Sequence, residues 1–192
     1  MKALRDRRMA ERSSTSVAAL FQRLTQGVYV IGVAHGEKRG AFTAAWVMQV
    51  SYDPLLLALS INPNHSSYLL LKEGRSFSIN VLKKNQLVLA DHYGRSARAE
   101  KLALTDWSTD RIGPPLLREA LAWFECGVVS EHPAGDHVLV LGRVIDGGLI
   151  DSAAEPMVIA KPARWTVLLL SIPTFSDPHD APWYGRCDIQ KP

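Results

Sequence analysis

Strand-forming runs follow one another along this chain with little more than polar turns between them, and that adjacency constrains the fold more than any single motif. Residues 28–34 are β-branched and aromatic, and they end at the polar turn 35–40. The stretch 40–54 returns antiparallel to them as a strand: Ala41, Thr43, Ala44 and Ala45 are small, apolar and polar residues then alternate through Val50, and Asp53-Pro54 closes it. Residues 55–61 are apolar on both faces, as a central strand requires. Residues 76–82 alternate, 119–130 read mainly as strand around Cys126, and a turn over 131–136 leads into a long returning strand at 137–145. Two more strands are expected at 156–159 and 164–170. Helices are expected over 17–24, after a Ser-Ser-Thr-Ser tract, over 66–74 with Gly74 as the stop, and over 86–93 before Gly94. The charged stretch 95–104 is compatible with a further helix, and 107–115 reads as loop. Strands come in neighbouring pairs rather than alternating with helices, which disfavours a parallel α/β sheet. A mainly β chain, an antiparallel barrel with short helices outside it, is the expected architecture.

The length of 192 residues suits one domain with a full core, and 47% hydrophobic with 21% charged residues is the balance of a globular protein. A basic N-terminus over 1–16, a folded domain over 17–170 and a tail over 171–192 are the expected divisions. The tail carries Pro173, Pro178, Pro182 and Pro192 and is expected to lie extended over the surface or over a partner. No apolar run is long enough to span a bilayer, so no membrane partner is expected. Residues 1–12 are basic without the apolar centre of a secretory signal, which places the chain in the cytoplasm as an expectation. The net charge of +3 is dense only at Arg5, Arg7, Arg8 and Arg12, the pattern of a solvated terminus rather than a nucleic-acid arm. Cys126 and Cys187 form no Cys-x-x-Cys pair, and reduced thiols are expected.

Dinucleotide-fold, P-loop, zincin and nucleophile-elbow motifs are all missing from the sequence. His132 and His137 flank one turn, with Glu131 and Asp136 beside them; they read either as metal ligands or as turn histidines, and no metal is expected. Two other features have two readings each. The small-residue patch of 41–45 is either a strand packed tightly on a neighbour or a surface that lets backbone groups approach a flat ligand. The segment Asn62-Pro63-Asn64-His65-Ser66-Ser67-Tyr68 is either an ordinary helix cap or a phosphate cradle of hydroxyls, free N–H groups and a helix dipole. A phosphorylated planar cofactor would use both features together.

The succession Gly27-Val28-Tyr29-Val30, then Phe42-Thr43-Ala44-Ala45-Trp46 through Val50-Ser51-Tyr52-Asp53-Pro54, Ser60-Ile61-Asn62-Pro63-Asn64-His65-Ser66-Ser67, Phe77-Ser78-Ile79-Asn80-Val81-Leu82 and Gly135-Asp136-His137 resembles the flavin reductase family. The resemblance runs from about residue 19 to 170. It implies an antiparallel split β-barrel of the kind that binds flavin mononucleotide (FMN), with flavin adenine dinucleotide (FAD) as the other flavin, usually as a homodimer with the site near the subunit interface. It also implies hydride transfer from NADH or NADPH to flavin and, in many members, supply of reduced flavin to a partner monooxygenase. Carried over position by position, Thr43, Ala44, Ala45 and Trp46 line the flavin ring largely through backbone groups, with Ser51, Ser60, Ile61 and Asn62 in the same cofactor set. His65, Ser66 and Ser67 hold the phosphate, Gly135 and Asp136 form the turn beside the flavin, and His137 places the nicotinamide or its phosphate. Two other classes fit the same barrel: a flavin-carrying electron-transfer protein reduced by another protein, and a cofactor-free or haem-binding protein. The chain departs from the family at 156–165, where many members carry an aromatic-rich segment, and at Leu55, where a second proline is frequent.

Overall fold

The structure, a computed structural model, describes residues 21, 23–95, 101–108 and 113–159. The elements below lie in the compact unit Gln26–Ile159. The helix expected over 17–24 falls almost wholly outside the described residues, and the strand expected over 164–170 and the tail from 171 fall wholly outside them.

In chain order, β1 (Gln26–Gly27), β2 (Tyr29–His35), β3 (Lys38–Ala44), β4 (Val47–Tyr52) and β5 (Leu55–Ile61) precede helix α1 (Tyr68–Gly74). Then come β6 (Ser76–Val81), helix α2 (Leu87–Gly94), a 3-10 turn at Lys101–Leu104, and the short strands β7 (Trp107–Ser108) and β8 (Leu116–Leu117). The hairpin of β9 (Ala122–Ala134) and β10 (His137–Leu149) follows, and β11 (Val158–Ile159) pairs back with β1. Seven strands form one sheet in the order β3-β2-β6-β9-β10-β5-β4, and every pairing in it is antiparallel.

That order corrects the expectation of one strand over 40–50. The stretch breaks at Ala45-Trp46, and its two halves, β3 and β4, lie at opposite edges of the sheet. Two residues span no more than about 10 Å between the flanking ends, so the end of β3 and the start of β4 lie close together at this junction. The core agrees. Phe42 and Ala44 of β3, one edge, share a cluster with Leu59 and Ile61 of β5 near the other, together with Ile31, Val33, Phe77, Ile79, Cys126, Val140 and Leu71 of α1. A flat sheet of seven strands about 4.8 Å apart could not bring those side chains together; the sheet curls around them.

Other boundaries differ from the sequence reading for local reasons. Gly74 is the last residue of α1 and not its left-handed terminator, a role taken by Arg75 at φ 53°. Gly74 has no side chain because a Cβ there would lie 1.8 Å from the Ala34 carbonyl oxygen. The turn expected over 131–136 shrinks to Gly135-Asp136, because β9 continues to Ala134 and β10 begins at His137. Gly135 has φ +66° and Asp136 does not, the arrangement that puts glycine first in a two-residue hairpin turn. Residues 107–108, read as loop, pair with 116–117 in a two-strand clip. Buried Asn80 holds that clip to the sheet: its side-chain amide donates to the Val30 carbonyl at 2.9 Å and its oxygen accepts from Leu117 N–H at 2.8 Å.

Candidate functional site

The β3–β4 junction gathers most of the candidate residues. Ser60 N–H donates to the Trp46 carbonyl at 3.0 Å, which fixes the junction against the end of β5. Val138 of β10 pairs with Ile61, so His137, the preceding residue, sits beside the same end. The imidazole of His137 packs on the indole of Trp46 with ring centroids 4.9 Å apart and planes tilted by 56°. Trp46, Ser60, Ile61 and His137 therefore meet at one place, although they come from three separate stretches of sequence.

A second group lies along β3. His65 packs on Phe42, with centroids 4.7 Å apart, and a Cβ at Gly40 would come within 3.5 Å of the Ser67 hydroxyl. The start of α1 thus rests on residues 40–42, and Asn62 leads into it from β5. The Asn62 side-chain oxygen accepts from Asn64 N–H at 2.9 Å, and His65 Nδ1 accepts from Ser67 N–H at 3.1 Å. Ser67 precedes the helix without capping it through its side chain, and Ser66 is exposed.

Four candidates are placed differently from their simplest reading. Thr43 is buried and its hydroxyl donates to the Ala90 carbonyl of α2 at 2.8 Å, which ties α2 to β3 and commits the hydroxyl proton. Ala44 and Ala45 are also buried, so the patch is both tightly packed and thin. Ser51 pairs with Leu56 beyond a bulge at Gln49, about 16 Å along β4 from Trp46, and is not brought to the junction.

Among the described residues of the junction, the carboxylate lies in the hairpin turn. Asp136 Oδ1 lies 2.9 Å from His137 Nδ1, and the hydrogen bond from that imidazole, with its charge, holds the Asp136 carboxyl below the usual carboxylate range. His137 is 7% exposed, and its other ring nitrogen, Nε2, is buried without a hydrogen-bond partner among the described residues. A buried polar atom with no partner is rare in folded proteins, and an ordered water or a ligand is what would complete it. His132 is exposed and bonds Ser130 instead, so the two histidines do not converge. Burial pushes the Cys126 thiol up to about 12, which keeps it inert at neutral pH.

A network at the far side of α1 had no signal in the sequence. Glu131 of β9 accepts from the Tyr68 hydroxyl at 2.8 Å and from Arg75 Nη1 at 2.7 Å, strapping both ends of α1 to one carboxylate. Burial and Glu131 together raise the Tyr68 phenol above its ordinary value. These partners are separated by 56 to 63 positions, beyond the reach of any local pattern.

Comparison with known proteins defines the class. The model of the flavin reductase like domain matches residues 21–165, and the chain belongs to that family. It is 31% identical over 128 residues to diflavin flavoprotein A 1 of Synechocystis, covering 65% of this chain but only 22% of that protein. It is 33% identical over 151 residues to the NADH-dependent FMN reductase AsuE2 of Streptomyces nodosus, covering 75% of this chain and 80% of that one. Among solved structures it resembles BorF, the flavin reductase component of a bacterial two-component tryptophan halogenase, at a TM-score of 0.68 and 31% identity over 77% of this chain and 93% of that one.

Proposed function

We propose that this chain is an NAD(P)H-dependent flavin reductase that binds FMN, on a split β-barrel whose folded domain runs over 17–170. The observation that carries this reading is the orphaned Nε2 of His137 beside Trp46, at a junction of small residues next to a helix start, in a chain that belongs to the flavin reductase-like family. The residues fit a flat phosphorylated cofactor. Buried Ala44 and Ala45 leave room for a ring, backbone groups of 43–46 and 60–62 other than the bonded Ser60 N–H and Trp46 carbonyl lie along its edge, and His65, Ser66 and Ser67 offer a ring and hydroxyls to a phosphate.

Bound flavin supplies the hydride acceptor. The protein's own residues bind, orient and exclude water. His137, held by Asp136 and by the first rung of β10, is set to position the second substrate, and the junction backbone fixes the first. No catalytic acid or base pair is required for this task.

The chain works as a homodimer in the cytoplasm and passes reduced flavin to a partner oxygenase. The support for the dimer is apolar surface: Met48, Val50, Tyr52 and Leu55 on β4 and the start of β5 are exposed, as are Ile145 and Leu149 on distal β10. Support for a partner comes from BorF, a component of a two-component system. A second reading, a flavin-carrying electron-transfer module that never meets nicotinamide, is favoured by the match to about a fifth of a diflavin flavoprotein. Steady-state oxidation of NADH and NADPH with added FMN or FAD separates them: turnover supports the reductase, and flavin binding without turnover supports the module.

A further inference from the structure

The two ends of α1 are held to the sheet unequally. At the C-terminal end the Arg75 guanidinium donates to Glu131 Oε1 at 2.7 Å and to the Val128 carbonyl at 3.2 Å, and the Arg75 carbonyl accepts from Val128 N–H at 2.9 Å. Gly74 beside it lies flush on the Ala34 carbonyl. The start of α1 is held by less. Ser67 gives it no side-chain cap, and His65 and Ser67 meet β3 through the ring of Phe42 and the space above Gly40. The hydrogen bond from the Tyr68 hydroxyl to Glu131 Oε2, at 2.8 Å, ties the first residue of the helix to the sheet. Its acceptor is a carboxylate only 17% exposed, on a strand whose register is fixed by the pairing of Glu131 with Val140. That rung lies about 10 Å along β9 from Ala134, the partner of His137. One side chain therefore stands between the helix start and the hairpin turn, two places that carry candidate residues.

We propose that Glu131 is a positioning residue for the flavin: through the Tyr68 hydroxyl it sets where Ser66 and Ser67 stand relative to β9 and β10, without touching the cofactor itself. This inference rests on the flavin reductase reading for the identity of the ligand. The physical reason is rigidity. A seat for a charged group binds well when its donors are held in place before the ligand arrives, and a hydrogen bond to a shielded carboxylate restrains a helix start more than one to an exposed side chain does. Tyr68 suits the task because its ring packs against the core cluster. Burial and the Glu131 carboxylate also raise its phenol above the ordinary value, so it keeps its proton and remains a donor. Arg75 uses the other oxygen of the same carboxylate at the far end of the helix. The two arms thus have different duties: the Tyr68 arm governs the seat, and the Arg75 arm governs the stability of the helix.

The test is FMN binding by fluorescence titration, at a temperature well below every variant's thermal midpoint, alongside steady-state kinetics with NADH. Tyr68→Phe, which keeps the ring and loses the hydroxyl, is expected to weaken FMN binding at least about fivefold and to leave the KM for NADH at saturating FMN within about twofold of the parent. Arg75→Asn removes the other arm with a residue that tolerates the left-handed backbone there; it is expected to lower the thermal midpoint and to leave FMN affinity within about twofold. In a Glu131→Ala background, or Glu131→Leu if the alanine variant does not fold, Tyr68→Phe is expected to have no further effect on affinity, since the hydroxyl then has no acceptor. Parent affinity in Tyr68→Phe overturns the inference. So does an equal loss of affinity in the Tyr68 and Arg75 variants, which would make the strap a matter of helix stability alone, and so does a full Tyr68→Phe effect that persists without Glu131. A parent protein that binds no flavin defeats the reductase reading and this inference with it, whereas a parent that binds flavin no better than Tyr68→Phe defeats the inference alone.

Discussion

The two ends of the seven-stranded sheet spend their apolar residues differently. On β2, β3 and β6, Val30, Ile31, Val33, Phe42, Phe77 and Ile79 are buried inside the chain's own core. On β4 and distal β10, Met48 is 64% exposed, Tyr52 82% and Ile145 64%. One composition, strand-forming and apolar, thus serves a closed interior in one region and an open surface in the other. The proposed site sits where they meet, at Ala44-Ala45-Trp46. An apolar patch next to a ligand seat is the arrangement expected when a second subunit completes the site's surroundings.

The comparison predicts opposite responses to substitution. Phe77→Ala in the closed region, which empties a wholly buried site, should cost about 3–5 kcal/mol and lower the thermal midpoint by roughly 10 °C or more. Tyr52→Ala should leave the fold of the subunit almost unchanged. Met48→Glu, which puts a charge in the patch, should instead convert a dimer of 21.2 kDa chains to monomer in light scattering. A monomeric parent at micromolar concentration would show that the exposed half is plain surface.

Smaller effects are expected at the site. Replacing both Ser66 and Ser67 with Ala removes two hydroxyls from the start of α1. Each hydrogen bond to a charged group is worth about 1.5–3 kcal/mol, so FMN affinity should fall at least about tenfold in a fluorescence titration. His137→Ala should retain flavin and slow its reduction by NADH by about 1–3 kcal/mol, or roughly five- to 150-fold, in stopped flow. The smallest effect concerns pH. Asp136 has its folded pKa below the unfolded value of about 3.9, so its pairing with His137 stabilises the fold above that value and the contribution disappears as pH falls through the folded pKa. Thermal midpoints of parent and Asp136→Asn should therefore converge between pH 5 and pH 2.

Most strands could be read from the sequence because alternation and turn residues are local. Gly135-Asp136 marked a hairpin, and Asn80 stood in an alternating strand. The division of 40–50 between two sheet edges was not legible, since nothing in Ala45-Trp46 differs from a strand interior until β5 and β10 are in place. The same holds for Thr43, whose hydroxyl is committed to Ala90, and for the contact of Trp46 with His137 across 91 positions. The candidate residues could be named from the sequence as types, in the order that the family resemblance implies. Their partners were set by how the strands order and curl into one sheet, which a local pattern does not encode.

The most direct test of the central claim is a titration of the purified chain with FMN, followed by flavin fluorescence and visible absorbance. The account predicts saturable quenching at micromolar flavin with a bound-flavin spectrum, weakened in the Ser66→Ala, Ser67→Ala double variant. Unquenched fluorescence and an unshifted spectrum at that concentration would contradict it.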